Sequence, residues 1–262
     1  MIIRVTDLII EILNIDIKKR DSFLKFQIEE SNQNEIYCQI NLLRENAVYH
    51  GIECFNFKDS IHYVAKVGYN YMFVSKDWKK GTIKLGDGMV CFDMFLLQFF
   101  YTHAVQRHMI QLHSSLISTN DRGLMFLGPS GIGKTTQAEL WNKYRDALII
   151  NGDIVFVQET EDAFLGWGTP WHGSSPYCEN TSVPVHAMIV LKQAPENSIR
   201  ELTGFEKVSE VSNSVFYPRW LENGMELCLE TLDHLLSKIP VYELSCRPDE
   251  DAVRLVEETV FK

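Results

Sequence analysis

Eight consecutive residues in the middle of the chain, Gly128-Pro129-Ser130-Gly131-Ile132-Gly133-Lys134-Thr135, followed by Thr136, fit the pattern G-x-x-x-x-G-K-[ST]. That spacing makes a loop that cradles phosphate. Glycines let successive backbone N–H groups turn inward around an anion without a Cβ in the way. A helix that follows aims its unpaired N–H groups and positive dipole end at the same anion. Lys134 reaches the β- and γ-phosphates as a point charge, and Thr135 offers its hydroxyl to Mg²⁺. The expected nucleotide-binding set is therefore Gly128, Ser130, Gly131, Ile132, Gly133, Lys134, Thr135 and Thr136. At average residue usage roughly one chain in a hundred of this length matches by chance, so the flanking elements decide. LMFL reads as a strand directly before the loop and TTQAELWNKY as a helix directly after it, the context the loop requires.

A metal held by phosphates and one hydroxyl needs a carboxylate beside it. The next apolar run, ALIINGD, ends in Asp153. An acid at the carboxyl end of a strand next to the loop lies where open α/β sheets bind ligands. Asp153 is expected to contact Mg²⁺ or to act as general base; the other reading is a turn residue, since Asn-Gly-Asp is also a turn signature.

The segment GTPWHGSSPYCEN (168–180) combines small residues, hydroxyls and His172 in an irregular stretch, and loops on α/β scaffolds carry substrate contacts. His172 is expected either to bind phosphate or assist proton transfer, or to be a hydrogen-bonded loop residue. Trp167 and Trp171 read as packing residues. His103 and His108 fall on an apolar stretch, 92–110, and read as satisfied helix residues. Arg219 and Arg247 suit phosphate contact and equally suit surface ion pairs. Met72, Met89 and Met94 read as core filler.

These residues belong to a chain of 262 residues of ordinary globular composition, 45% hydrophobic and 23% charged. Lys and Arg number 25 against 35 Asp and Glu, a formal net charge of −10. That excess disfavours nucleic acid and anionic lipid as partners, both being polyanions, and Lys79-Lys80 is too small a footprint to offset it. No apolar run approaches the length of a membrane span. The opening MIIRVTDLIIEILNIDIKKRD mixes charges among its apolar residues and does not read as a signal peptide. The six cysteines form no C-x-x-C pair and read as reduced thiols of a cytoplasmic protein.

Residues 1–90 are β-rich and carry no chemical motif: LKFQIEE, IYCQINLL, VYHGIECFNF and YNYMFVS cluster β-formers, with turn signals at Gly81 and Gly86-Asp87-Gly88. FDMFLLQFFYTHAVQRHMI (92–110) reads as one buried helix. Beyond it strands and helices alternate: LHSSLIS, LMFLG, the TTQAELWNKY helix, ALIINGD, a hairpin around Thr160–Asp162, HAMIVLKQ, the GMELCLETLDHLLSKI helix, PVYELSC, and a last helix, EDAVRLVEETVF, capped by Asp249. The C-terminal third reads as mainly helical. This alternation argues an α/β core over roughly 90–262.

The order HSSLI, LMFLGPSGIGKTT, LIINGDIVFV, GTPWHG resembles the HPr kinase/phosphorylase family over about residues 110–195, and more loosely over the C-terminal strand and helix. The resemblance implies an α/β fold with a P-loop core of the HPr kinase/phosphoenolpyruvate-carboxykinase type, here with a β-rich N-terminal region, ATP and Mg²⁺ as cofactors, and a serine on a protein as acceptor. His113 falls where such kinases carry a His on the strand before the loop. Asp153 matches the second of two adjacent aspartates that serve as base and metal partner. The first of the pair is Gly152 here, so one carboxylate carries both roles or another acid such as Glu179 helps. The segment for the reverse, phosphorolytic reaction is not found, and residues 1–90 do not look like the family's usual N-terminal domain.

The resulting expectation is a β-rich region over 1–90 of unknown role and a P-loop kinase-like domain over 91–262. That domain is an ATP-dependent phosphotransferase acting on a hydroxyl, a serine of a protein or peptide, with Asp153, His113 and His172 as catalytic residues and Thr135 and Asp153 at the metal. A nucleotide-binding regulatory or scaffold protein, and a small-metabolite kinase, are the alternatives. The resemblance also implies homo-oligomers.

Overall fold

The computed structural model describes residues 1–15, 21–29, 35–43, 47–49, 52–54, 60–86 and 90–262. The chain divides into two compact units, Met1–His103 and Ala104–Lys262. Each mixes helices and strands around its own sheet.

In the first unit the strands are β1 (Ile2–Val5), β2 (Leu8–Leu13), β3 (Cys38–Leu43), β4 (Ala47–Tyr49), β5 (Ile52–Cys54), β6 (Tyr63–Val67), β7 (Asn70–Val74) and β8 (Lys80–Lys84), with a short helix α1 (Asp21–Leu24). Six of them form one sheet in the order β1-β2-β3-β8-β7-β6, and β4 pairs with β5 apart from it. In β3 buried and half-buried residues alternate along Cys38–Leu43, the period of a strand with one face on a core. Ile3, Ile10, Ile12, Phe26, Ile40, Met72 and Ile83 are all fully buried, each contributing about 1.5–3 kcal/mol by leaving water. Helix α2 (Val90–Val105) adds Phe92, Phe95, Leu96 and Phe99 to this apolar interior.

Several sequence expectations change here. The apolar run 92–110 is not one helix. It stops at Val105, Arg107 and His108 close tight turns onto Ala104 and Val105, and His108 takes φ 53. Met109 already pairs with Gln158 in a strand. An unbroken apolar pattern does not distinguish a buried helix from a buried strand. His108 is thus a turn residue, whereas His103 is buried with Nε2 2.9 Å from the Trp78 carbonyl. Gly81 lies inside β8, where a Cβ would press on the Phe99 ring, and is not a turn. Met94 is exposed (52%) and not core filler. Asp87, Gly88 and Met89, and much of VYHGIECFNF, lie outside the described residues.

The second unit holds β9 (Met109–Thr119), β10 (Arg122–Leu127), α3 (Lys134–Arg145), β11 (Leu148–Asn151), β12 (Ile154–Glu159), β13 (Phe164–Trp167), β14 (Ser182–Gln193), β15 (Ser198–Leu202), α4 (Gly204–Ser212), β16 (Val215–Phe216), α5 (Gly224–Lys238), β17 (Val241–Cys246) and α6 (Glu250–Val260). Two long strands organise it. The first half of β9 pairs with β12 and β16, the second half with β10 and β11. Similarly β14 begins against β13 and continues between β10 and β17, parallel to both. One continuous sheet, β10-β9-β12-β13-β14-β17-β15, results. The hairpin at Thr160–Asp162 is present, with Phe164 opposite Glu159. The Asp249 carboxylate accepts from the Ala252 N–H at 3.0 Å and caps α6. The C-terminal third is less helical than its composition reads, because β15 and β17 pair antiparallel on either side of α4 and α5 in sequence.

Helices α3 and α6 cover one face of this sheet. Ala138 and Trp141 from α3 and Val253 and Val256 from α6 pack on Ile117, Leu124, Phe126, Ile189 and Leu244. That core fixes the N-terminus of α3 at the end of β10.

Candidate functional site

Strand β10 is buried from Gly123 to its end at Leu127, and α3 begins seven residues later at Lys134. Between them the backbone reverses through positive φ at Gly128 (135°), Gly131 (79°) and Gly133 (117°). Side chains strain that conformation, which is why glycine stands at all three. The Ile132 N–H closes a turn on the Pro129 carbonyl at 3.2 Å. No side chain caps α3, so its first-turn N–H groups are left for an anion. A second tie holds the helix start: the Ser115 hydroxyl, buried on β9, donates to the Lys134 carbonyl at 2.8 Å. Nothing in the sequence pattern marks Ser115.

Lys134 is almost wholly buried, 6% exposed, and folds back over the loop. Its Nζ donates to the carbonyls of Gly128 (3.1 Å) and Pro129 (3.2 Å). Burial pushes the ammonium below its ordinary value of 10.5, and the Asp153 carboxylate partly opposes that fall.

Asp153 and His113 come together through strand register. Ile154 stands opposite His113 on the β9–β12 pair, and the Ser114 N–H donates to the Asp153 carbonyl at 3.0 Å. The His113 Nε2 lies 2.9 Å from Asp153 Oδ1. The Thr135 hydroxyl donates to the Gly152 carbonyl at 3.3 Å, joining the helix start to the same turn. His113, Ser130, Gly131, Gly133, Lys134, Thr135, Thr136 and Asp153, with Gly152, Ser174 and Ser175, line one cavity of about 250 Å³.

Asn151 organises the other wall, although in the sequence it reads only as part of a turn signature. It is fully buried. Its Oδ1 accepts from the Asp153 N–H (2.9 Å) and the Ile154 N–H (3.0 Å), and its Nδ2 donates to the carbonyls of Thr169 (3.0 Å) and Trp171 (3.2 Å). One amide therefore clamps the Asp153 turn to the 168–180 segment. That segment is not a loose loop: Glu179 N–H donates to the Ile150 carbonyl, Gly152 N–H to the Tyr177 carbonyl and Gly168 N–H to the Thr181 carbonyl. Gly173, at φ 58, presses against the Asp153 carboxylate, where a Cβ would collide with Oδ2. Gly152 presses likewise against the Ser175 side chain, so the space a side chain at 152 would need is filled by that hydroxyl. We expect Asn151→Ala to cost about 2–4 kcal/mol, from lost bonds and stranded buried partners, measured by thermal and denaturant unfolding, whereas Asn142→Ala, losing one bond to the Ala147 carbonyl, costs about 1 kcal/mol.

His172 is placed within its own loop. Its Nδ1 faces the Ser175 carbonyl and its carbonyl accepts from the Ser175 N–H at 3.1 Å; it is not among the cavity's lining residues. Neither Glu179 nor Arg219 lines that cavity. Arg247 pairs with Asp249 at 3.1 Å and borders a second cavity.

This second cavity, about 510 Å³, opens on the other side of the same loop. Ile132, Gln137, Leu191, Pro195, Cys246 and Pro248 contribute to its lining, and Gly131, Gly133 and Thr136 border both cavities. The Gln137 amide donates to the Cys246 Sγ at 3.2 Å.

Among the described residues no group of three or more His, Cys, Asp or Glu side chains forms a metal cage. One carboxylate and one hydroxyl facing a phosphate-sized space suit Mg²⁺, which binds through one or two carboxylates, water and substrate phosphates and does not need an all-protein cage. No disulfide links the described cysteines, and no helix among the described residues is long and apolar enough to cross a membrane.

No protein-family model matches the chain. In sequence it is similar to the HPr kinase/phosphorylase of Mycoplasmopsis pulmonis (strain UAB CTIP), 22% identical over 166 residues, covering 63% of this chain and 49% of that protein. The chain thus matches about half the length of that curated relative. Among solved structures it is similar to the Hpr(Ser) kinase/phosphatase from Coxiella burnetii, at 13% identity and TM-score 0.33, over 58% of this chain and 88% of that one. The sequence similarity is that of a divergent, HPr kinase-like protein.

Proposed function

We propose that the chain is an ATP-dependent phosphotransferase that moves the γ-phosphoryl group to a hydroxyl, a serine of a protein or peptide. The observation that carries this reading is the gathering of Lys134, Thr135, His113 and Asp153 around one cavity at the uncapped start of α3. Phosphoryl transfer asks a protein mostly for positioning and charge neutralisation, and those four residues supply both. The sequence similarity to an HPr kinase/phosphorylase points the same way.

In this reading the loop N–H groups and Lys134 hold the β- and γ-phosphates. The base and ribose extend into the 510 Å³ cavity, whose size and mainly apolar lining suit a small planar ligand. Thr135 and Asp153 are the residues that hold Mg²⁺, which supplies further neutralisation of the phosphate charge. Asp153, oriented by His113 and by Asn151, takes the proton of the acceptor hydroxyl. We assign His172 to holding the 172–175 turn beside Asp153.

A regulatory nucleotide-binding protein that transfers nothing is the second reading, favoured by one observation: position 152 has no carboxylate, and Ser175 fills its place. Incubation of the chain with Mg-ATP and candidate proteins, peptides and hydroxylated metabolites, followed by mass analysis, separates the two. Phosphate on a serine of a protein or peptide supports the transfer reading. Nucleotide binding with no phosphate on any acceptor, the chain itself included, supports the regulatory one.

A further inference from the structure

The acceptor wall of the 250 Å³ cavity is made by the chain's own Ser174 and Ser175. Two hydroxyls thus already stand in the space that also holds Lys134 and Asp153. Their placement is built. Gly173 lies against the Asp153 carboxylate so closely that no Cβ fits, and its φ of 58 turns the chain there. The turn closes through Ser175 N–H to the His172 carbonyl. Asn151 then ties the base of the segment, at Thr169 and Trp171, to the Asp153 turn.

The two serines differ. Ser175 is buried at 7% exposure, its Oγ accepts from the Tyr177 N–H at 3.3 Å, and it packs on Gly152. Ser174 is exposed and its hydroxyl has no hydrogen-bond partner among the described residues. It follows directly on the glycine that touches Asp153.

We infer that Ser174 is a phosphoryl acceptor within this chain, modified in cis at its own nucleotide site. The inference rests on the transferase reading above. Ser174 Oγ forms the new bond to the γ-phosphorus, the bond from that phosphorus to the β–γ bridging oxygen breaks with its electron pair leaving on ADP, and Asp153 takes the hydroxyl proton. The product is a phosphoserine dianion beside the Lys134 ammonium. It occupies the phosphate space, so the reaction limits itself to one phosphate per chain and closes the site to further turnover.

The test uses the full chain. It is incubated with Mg-ATP, incorporation is followed by intact mass, and the site is located by peptide mapping. The expected result is one phosphate on Ser174, with a first-order rate constant that does not change with protein concentration. Ser174→Ala abolishes incorporation, and Ser174→Thr restores it as phosphothreonine, which separates loss of the acceptor from loss of the fold. Phosphate on Ser175 or any other residue, or a rate constant that rises with protein concentration, overturns the inference. If calorimetry detects bound Mg-ATP and an added acceptor is phosphorylated while Ser174 stays unmodified, the inference fails and the transferase reading stands. If no nucleotide binds, both fall.

Discussion

Lys134→Ala is expected to weaken Mg-ATP binding by about 2–4 kcal/mol, roughly 30- to 700-fold in Kd, the scale of charge-assisted bonds made in a partly buried site. Calorimetry on the wild type and the variant measures it. The reasoning starts from where the ammonium sits. It is 6% exposed, and without phosphate it is satisfied by two carbonyls of its own loop, Gly128 and Pro129. Phosphate oxygens offer better acceptors than those carbonyls, so the lysine swings from loop to ligand at little cost in reorganisation. A variant that binds Mg-ATP as tightly as the wild type would remove the loop from the function.

The same lysine sets a pH dependence. Burial lowers its pKa from 10.5, and the protonated form is the one that binds phosphate. Affinity should therefore fall as pH rises through a value below 10.5, and nucleotide binding should take up protons in that window. Without nucleotide the sign for stability is opposite. Between the lowered value and 10.5 the unfolded chain holds more protons than the folded one, so this group makes stability rise with pH there. Calorimetry in buffers of different ionisation enthalpy reads the proton uptake.

Asp153→Asn is expected to slow transfer by about 10²- to 10⁴-fold, the ordinary contribution of a positioned general base, while Mg-ATP binding changes far less. Asn keeps the shape of the side chain and can still accept from the His113 Nε2, 2.9 Å away in the wild type. What it loses is the capacity to take a proton and the negative charge beside Thr135. Single-turnover transfer to Ser174 or to an added acceptor, compared with binding affinity, separates these effects. Full transfer activity in Asp153→Asn would sink the role given to that carboxylate. A variant that loses binding and transfer equally would make Asp153 a metal or phosphate contact first and a base second.

The parts whose physics is local are legible in the residues alone. The glycine spacing of 128–133 states that the backbone must turn through positive φ three times, and the chain does so. The strand before the loop and the helix after it follow from an apolar run and a run of good helix formers, and Asp249 as a cap needs only its own helix. Alternating elements over 109–262 likewise make a mixed α/β unit, because each periodicity is read within a few residues.

Features that depend on which strands are neighbours emerge when the sheet is assembled. His113 and Asp153 are forty residues apart in sequence and meet because Ile154 registers opposite His113 on β9. Asn151 looks like a turn residue locally, yet its amide reaches Thr169 and Trp171, contacts that sequence spacing does not encode. The absence of a carboxylate at 152 reads in sequence as a missing group, whereas in space it is the room taken by Ser175. The end of the first long helix was also hidden, because the apolar pattern runs on from the helix into the next strand with no Gly or Pro between them, and the break at Gln106–His108 is set by the strand pairing that begins at Met109. Local geometry is written in residue type and spacing; long-range register is chosen by the cooperative packing of the whole sheet, and the wall of the site that holds Ser174 belongs to that second kind.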